Sequence, residues 1–254
     1  MISKNKIKFL RSLSLKKNRD HHNQVILEGF RLVEEAIKAK ASIESIYCTP
    51  SMMDKALKNK FFNSYELISI TEEECKIISD TKNSQGTIAL VNTKKYMNNK
   101  ISNIRENENI IILDQISDPG NLGTIFRNCT WYGIKSIILT ENSIDPFNLK
   151  CVRSGMGAHF YFNNIIQDDT DNIFKFLKQY NYDVIVADLT GTNITDIKCK
   201  NHWGLVLGSE AHGISNIFKE FRKVTINKIG NMESLNVSVA SGILLDRLIN
   251  KEKI

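Results

Sequence analysis

Three segments of the chain are rich in glycine and polar side chains, and each follows a predicted strand. The first, DPGNLGTIFRN, covers residues 118–128; the second, GSEAHGIS, covers 208–215; and the third, IGNMESLNVSVASG, covers 229–242. In an open parallel sheet, ligands bind beyond the carboxyl ends of the strands, where such loops converge. The spacing therefore predicts one ligand-binding or catalytic site that is built from all three segments.

The common nucleotide-binding motifs do not account for these segments. GSEAHGIS has two glycines at the spacing of a P-loop, but Ile214 stands where a lysine must contact phosphate. GMGAHF at 155–160 lacks the third glycine of a dinucleotide fingerprint and follows no clear strand. No acidic-glycine signature of the common Rossmann methyltransferases follows any strand. The chemistry is therefore predicted to differ from that of these classes.

The elements that position the segments alternate regularly from residue 109 onward. Continuous apolar runs such as IIILD are typical of buried parallel strands. The predicted strands are 110–114, 135–140, 183–189, 203–208 and 223–226. The predicted helices are 121–132, 174–180 and 234 to about 250, the last with Ser234 as its N-cap. This alternation predicts an α/β domain with a parallel sheet over residues 109–254.

The first part of the chain predicts a smaller α/β domain. Residues 1–93 contain predicted strands at 24–27, 43–47 and 86–91 and an amphipathic helix at 30–40. Residues 94–108 are polar and show no period, so they are predicted to be a linker between the two domains.

Composition and charge restrict the classes of function that the chain is expected to have. The net charge is +6, and residues 1–22 hold seven basic residues and one acidic residue, so this arm carries the whole excess. A basic arm favours a polyanion such as RNA, although a solvated helix would give the same pattern. No apolar run is long enough for a membrane helix and no signal peptide is present, so the expected location is the cytoplasm. The five cysteines show no metal or disulfide spacing, so we expect no metal.

Together, the three segments resemble the signature motifs of the SpoU/TrmH family of RNA 2′-O-ribose methyltransferases, within the SPOUT class. Residues 25–37 and 79–91 resemble the substrate-binding domain, similar in fold to ribosomal protein L30e, that often precedes this catalytic domain. Lys82 and Asn83 depart from that pattern, which more often includes proline. The matching positions are Asn121 and Arg127 in the first segment; Gly208, Glu210 and Gly213 in the second; and Ser234, Leu235, Asn236, Val237 and Ser238 in the third.

The resemblance implies methyl transfer from S-adenosylmethionine to a ribose 2′-hydroxyl of RNA, with 23S rRNA favoured over tRNA. It also implies a trefoil-knotted α/β fold and a homodimer in which the arginine of one subunit meets the cofactor of the other. The implied cofactor-binding residues are Leu207, Gly208, Gly213, Ile226, Ile229, Leu235 and Asn236.

The same resemblance assigns catalytic roles. Arg127 is the implied catalytic residue, and a guanidinium pKa above about 12 favours stabilisation of a developing alkoxide over action as a base. Asn121 is expected to orient Arg127 or the substrate, and Glu210 to fix Arg127 or Asn236. Asn236 would contact the 2′-oxygen, whereas Ser234 would act there or only cap the helix.

The expected RNA contacts are basic side chains, most of them in the first domain. They are Lys8, Arg11, Lys16, Lys17, Arg19, Arg31 and Arg153. Three alternatives stay open: a tRNA substrate, a non-catalytic RNA-binding protein of the ribosome, and methylation of a base nitrogen.

Overall fold

A computed structural model describes residues 2–81, 83–97, 100–105, 107–200, 202–210 and 213–250. The helices are α1 Lys4–Ser12, α2 Lys16–His22, α3 Phe30–Lys38, α4 Pro50–Leu57, α5 Glu72–Ile78, α6 Lys94–Met97, α7 Pro119–Trp131, α8 Leu149–Ser154, α9 Thr170–Gln179 and α10 Val237–Asn250. Short 3₁₀ helices lie at Ile101–Asn103, Ala158–Tyr161, Ile194–Asp196 and Asn216–Glu220. The strands are β1 Gln24–Glu28, β2 Ser42–Cys48, β3 Leu67–Ser69, β4 Thr87–Asn92, β5 Ile110–Asp114, β6 Ser136–Thr140, β7 Asn164–Asp168, β8 Asp183–Asn193, β9 Trp203–Gly208 and β10 Arg222–Thr225.

The chain forms two compact units. The first consists of residues 1–97 with 147–160, and the second of residues 98–146 with 161–254. The sequence predicts that residues 147–160 belong to the C-terminal domain. In the structure, this segment belongs to the first unit, because its buried side chains pack there: Phe147 and Phe160 both contact the buried ring of Tyr96.

The first unit is built on a four-stranded mixed sheet in the order β1-β4-β2-β3. The β1–β4 and β4–β2 pairs are antiparallel, and β2 pairs with β3 in parallel. Helix α3 buries Phe30, Leu32, Val33 and Ala36 along one face, as its amphipathic pattern predicts. The predicted α/β character of this unit is confirmed, while β3 and the N-terminal helices were not predicted.

The second unit is an α/β fold around a six-stranded parallel sheet, as predicted. The strand order is β10-β8-β9-β5-β6-β7, and every pairing is parallel. Strands β5 and β6 are buried along their whole length, which explains their uninterrupted apolar sequences. Because β5, β8, β9 and β10 lie side by side, the segments that follow them meet at one edge of the sheet.

Strand β8 departs from regular pairing where it approaches this edge. Ile185 and Val186 pair with the start of β10, but the next paired residues of β8 are Thr192 and Asn193, so residues 187–191 leave the ladder. Gly191 is needed at the crossing, since a Cβ there would overlap the backbone nitrogen of Val224. The displaced residues form one wall of the cavity described next.

Candidate active site

A cavity of about 690 Å³ opens at the carboxyl ends of β8, β9 and β10. Its lining comes from residues 187–190, 207–210, 213–214 and 224–235, together with the first turns of α10. Small-molecule sites are concave, largely apolar and about 300–1,000 Å³ in volume, so the cavity is of the right size for a small cofactor. The second and third polar segments of the sequence therefore meet in one place.

The expected cofactor-binding residues lie around this cavity, with one exception. Six of them line it: Leu207, Gly208, Gly213, Ile226, Ile229 and Leu235. Asn236 is absent from the lining; its side chain hydrogen-bonds to Glu210 and to Ser238 at the start of α10. Glu210 and Ser234, expected to be catalytic, line the cavity as well.

Gly208 brings the end of β9 into close contact with the following loop. A Cβ at Gly208 would lie 2.5 Å from the carbonyl oxygen of Gly213 and 2.6 Å from Cδ1 of Ile214. Gly213 has φ +67°, in the left-handed region that favours glycine, and its N–H donates to the Ser209 carbonyl at 2.8 Å. Side chains at either glycine would open this turn, so the backbone at this wall of the cavity depends on both.

A charged group stands on the wall formed by β8. Asp188 pairs with Lys223 at 3.0 Å and accepts hydrogen bonds from the backbone and hydroxyl of Thr190. Burial by itself would raise the pKa of Asp188, but the hydrogen bonds from Thr190 and Lys223 outweigh it, so the pKa lies below its ordinary value. The carboxylate is thus held ionised, and it fixes the displaced segment of β8 against β10.

One carboxylate oxygen joins the three polar segments. Oε1 of Glu210 accepts hydrogen bonds from Nδ2 of Asn236 at 2.7 Å, the backbone N–H of Val237 at 3.1 Å and Nδ2 of Asn121 at 3.2 Å. Asn236 also donates to Oδ1 of Asn121 at 3.0 Å. Of the two partners expected for Glu210, the structure shows Asn236. A carboxylate is favourable at this point, because the N-terminus of α10 carries partial positive charge.

The start of α10 differs from the prediction. The helix begins at Val237, three residues after Ser234, so the expected N-cap role of Ser234 is wrong. Oδ1 of Asn236 accepts instead from the backbone N–H and the hydroxyl of Ser238, at 2.9 and 2.6 Å. Ser234 is exposed on the segment before the helix.

Asn121 and Arg127 lie on the same helix but project in different directions. Asp118 caps α7 by accepting from the backbone N–H of Asn121 at 2.8 Å, and Pro119 occupies the first turn, so Asn121 is helical and not in a loop. Six residues of α-helix turn the side chains about 120° apart around the axis. Arg127 is exposed, and within the described residues no hydrogen bond or ion pair holds it. Asn121 therefore does not orient Arg127 within one chain.

Two groups next to the site were not identified from the sequence. Asp114, at the end of β5, is fully buried and accepts from the backbone and hydroxyl of Ser215, which anchors the second segment. Nδ2 of Asn128 donates to the Ser238 carbonyl and the Ser241 hydroxyl, both at 2.9 Å, and so joins α7 to α10. The position of Asp114 at a strand end was the available signal; nothing local marked Asn128.

The side chains that are expected to contact RNA differ in their exposure in the structure. Lys8, Lys16, Lys17 and Arg31 are exposed. The guanidinium of Arg19 is instead buried and donates to the carbonyls of residues 13 and 14, which gives it a structural role in place of the predicted RNA contact.

Two further arginines of that set have intramolecular partners. Arg11 donates to the carbonyl of Ser79, and Arg153 lies 3.5 Å from a carboxylate oxygen of Asp80. Both contacts are on the surface of the first unit, so the guanidinium groups are already positioned by the protein.

The described residues also bear on two other functional classes, membrane proteins and metalloproteins. None of the helices among these residues is long and apolar enough to cross a membrane. No three His, Cys, Asp or Glu side chains among them are grouped so that they could hold a metal ion. Burial raises the pKa of the Cys129 thiol well above its ordinary value, so this cysteine is a neutral core residue.

Comparisons with known proteins connect both parts of the chain to RNA methyltransferases. The model of the SpoU rRNA methylase family matches residues 108–246, and that of the MRM3-like substrate-binding domain matches residues 4–89. The chain is 27% identical over 248 residues to the 23S rRNA (guanosine(2553)-2′-O)-methyltransferase RlmP of Bacillus subtilis, covering 96% of this chain and 95% of that protein.

Two solved structures are similar over the whole chain. A TrmH-family protein from Porphyromonas gingivalis has a TM-score of 0.85 at 29% identity and covers 99% of both chains. An AdoMet-bound rRNA methyltransferase from Sinorhizobium meliloti has a TM-score of 0.83 at 25% identity and covers 100% of this chain and 97% of the other.

Proposed function

The chain belongs to the SpoU rRNA methylase family, and we propose that it transfers a methyl group from S-adenosylmethionine to a ribose 2′-hydroxyl of 23S rRNA. The observation that carries this proposal is the Asn121–Glu210–Asn236 hydrogen-bonded group at the rim of a 690 Å³ cavity. The three family motifs meet there, and a protein that only bound RNA would need neither the cavity nor this group.

The cavity fits S-adenosylmethionine in size and character. The glycine at 208 lets backbone groups approach a ligand closely, while Ile226 and Leu235 offer apolar surface to a planar base. We expect backbone groups around Leu207, Gly208, Ile226 and Leu235 to hold the adenosyl part. When bound, this cofactor supplies a methyl group that is already activated for displacement.

The protein's own task is then to align the ribose and to stabilise the charge that develops on its 2′-oxygen. Arg127 is suited to this task, because a guanidinium stays protonated and can bind both an alkoxide and a neighbouring phosphate. Asn236 would contact the 2′-oxygen by exchanging its hydrogen bond to Asn121, while Glu210 continues to fix its amide. Ser234 faces the same cavity and is a second candidate for this contact.

We further propose a homodimer in which Arg127 of one subunit serves the cavity of the other. Two observations support it: Arg127 is not held by any described residue of its own chain, and Trp131, one turn further on the same helix face, is 83% exposed. Tryptophan is enriched in protein–protein interfaces, so an exposed one at this position is compatible with such a surface.

Two smaller proposals concern the fold of the second unit and the cellular location of the protein. We expect the trefoil knot of this class in the second unit, and the close crossing of Gly191 with β10 is compatible with it. We expect the protein to act in the cytoplasm, where its RNA substrate would be found.

Ribosomal RNA is favoured over tRNA as the substrate. The first unit matches a substrate-binding domain, and the similar B. subtilis protein is a 23S rRNA methyltransferase. The exposed Lys8, Lys16, Lys17 and Arg31 are proposed to contact this RNA. Incubation of the protein with labelled S-adenosylmethionine and separated 23S rRNA and tRNA, from a strain that lacks the gene, tests the choice. Label confined to tRNA would contradict it.

A further inference from the structure

A second groove lies in the first unit, and its lining includes none of residues 1–22 of the basic arm. Its volume is about 530 Å³, and it lies beside α4 and the start of α3. The side chains that line it are Phe30, Ser51, Asp54, Lys55, Lys58 and Asn59. Neither the sequence motifs nor the proposed methyl transfer assigns it a role.

An aromatic ring lines this groove and positions one of its two lysines. The ring of Phe30 stacks on Phe62 with centroids 4.9 Å apart and an angle of 16° between the planes. The ammonium of Lys55 lies 4.3 Å from the centroid of Phe30, within the range of a cation–π interaction. This contact restricts the Lys55 side chain, so less conformational entropy is lost when it binds an anion.

The two lysines of the groove are exposed, and they share it with one carboxylate, Asp54. Lys55 is in the last turn of α4, and Lys58, three positions further on, is its C-cap with helical backbone angles, so the two side chains occupy neighbouring positions. No ion pair to either appears in the part of the chain that the structure describes, whereas Lys38 on α3 is paired with Glu34 and Glu35. The groove therefore carries two lysines without ion pairs and one carboxylate, and its formal net charge of +1 (two positive, one negative) favours an anion.

The remaining polar groups suit a ribose next to a phosphate. The side-chain amide of Asn59 supplies N–H donors, and Asp54 can accept a hydrogen bond from a 2′-hydroxyl or an exocyclic amino group, whereas the hydroxyl of Ser51 already donates to Glu72. Recognition of RNA combines phosphate contacts by lysine with contacts to the 2′-hydroxyl.

We propose that this groove binds the sugar–phosphate backbone of the substrate RNA, with Lys55 and Lys58 on phosphates and Asp54 on a ribose hydroxyl. The inference rests on the proposed function, because it takes the RNA of the methyl-transfer reaction as the occupant. It adds an RNA contact surface on α4 to the one expected from the basic arm.

Filter binding of a 23S rRNA transcript at several KCl concentrations tests the proposal. The variant Lys55→Ala/Lys58→Ala is expected to bind about tenfold more weakly. Its salt dependence should also be flatter by about 1.4 in slope, because two contacts to single-stranded phosphates are lost. The matched control is Lys76→Ala/Lys94→Ala, which removes the same charge from exposed positions of the same unit outside the groove. Equal binding by the two double variants would overturn the proposal.

Two additional measurements test whether the lysine charge or the local structure is responsible for binding, and whether the occupant is RNA or a protein. Lys55→Arg/Lys58→Arg keeps both charges and should bind like the unchanged protein; binding as weak as that of the alanine variant would contradict the proposal. Loss of binding to large ribosomal subunits with unchanged binding to the transcript would identify a protein as the occupant, and so overturn it. Methyl transfer by the unchanged protein is measured on the same transcript. If no methyl transfer is detected, the proposed function is wrong, while the binding measurements still test whether the groove binds RNA.

Discussion

The side-chain amide of Asn236 donates a 2.7 Å hydrogen bond to Glu210, which joins the segment after β10 to the segment after β9. The same carboxylate oxygen accepts from Asn121 on α7, so three distant parts of the sequence converge on one atom. Glu210 is therefore expected to position the site without touching the reacting atoms.

Glu210→Ala should lower kcat/KM for methyl transfer by about tenfold or more, because three N–H donors lose their acceptor. Glu233→Ala is the matched control, since Glu233 also lines the cavity but makes no hydrogen bond to any described residue. If the two variants retain equal activity, the positioning role of Glu210 is wrong. Glu210→Gln keeps an oxygen acceptor and should recover part of the loss.

Arg127→Ala should abolish most methyl transfer, with a loss of several orders of magnitude, while the Kd for S-adenosylmethionine stays unchanged. The reason is that the guanidinium is exposed and lies outside the cavity lining, so its proposed partners are the 2′-oxygen and a phosphate. Calorimetry and a transfer assay check the two parts, with the exposed Arg105→Ala as control. Normal turnover by Arg127→Ala would refute the assignment.

Gly208→Ala should weaken cofactor binding by about ten- to a hundredfold, because the new Cβ meets the backbone of Gly213 and must displace the loop. Gly230→Ala is a strict control: Gly230 lines the same cavity, yet a Cβ there meets no atom within 4 Å. Calorimetric titration with S-adenosylmethionine measures both. A Kd for Gly208→Ala that equals that of the control would exclude a backbone contact at this wall.

Asp188 predicts a pH effect on stability. Its pKa is lowered in the folded protein, so its stabilising contribution is complete above the ordinary value of 3.8 and is lost as the pH falls through the lower, folded value. Asp188→Asn should therefore have a lower Tm than the unchanged protein at pH 6, and the difference should shrink at about pH 3. Asp171→Asn, at an exposed helical position, should show little difference at either pH. A Tm difference that is larger at about pH 3 than at pH 6 would contradict this prediction, because it would mean that folding raises the pKa of Asp188.

Much of the fold could be predicted from the sequence, because apolar runs such as that of β5 must be buried and alternate with amphipathic helices. Strand β7 was not predicted, since its five residues NIIQD end in polar side chains that give no clear period. The grouping of Phe147–Phe160 with the first unit could not be predicted either, because it depends on packing around Tyr96, far away in sequence.

In the candidate site too, features with a local cause in the sequence could be predicted, and features that depend on distant residues could not. The polar segments marked where the cavity would lie, since they follow neighbouring parallel strands. The start of α10 could not be placed, because Asn236 caps the helix while Glu210 fixes its amide from another loop. The role of Arg19 could not be predicted for a different reason: charge alone cannot distinguish a solvated guanidinium from one that binds the carbonyls of the residues before its helix.

Methyl transfer to 23S rRNA tests the central claim most directly. The protein is incubated with labelled S-adenosylmethionine and 23S rRNA from a strain that lacks the gene, and 2′-O-methyl groups are then mapped. We expect one new 2′-O-methylated ribose, absent when Arg127→Ala replaces the unchanged protein. Label on a base nitrogen, or no label despite bound cofactor, would contradict the account.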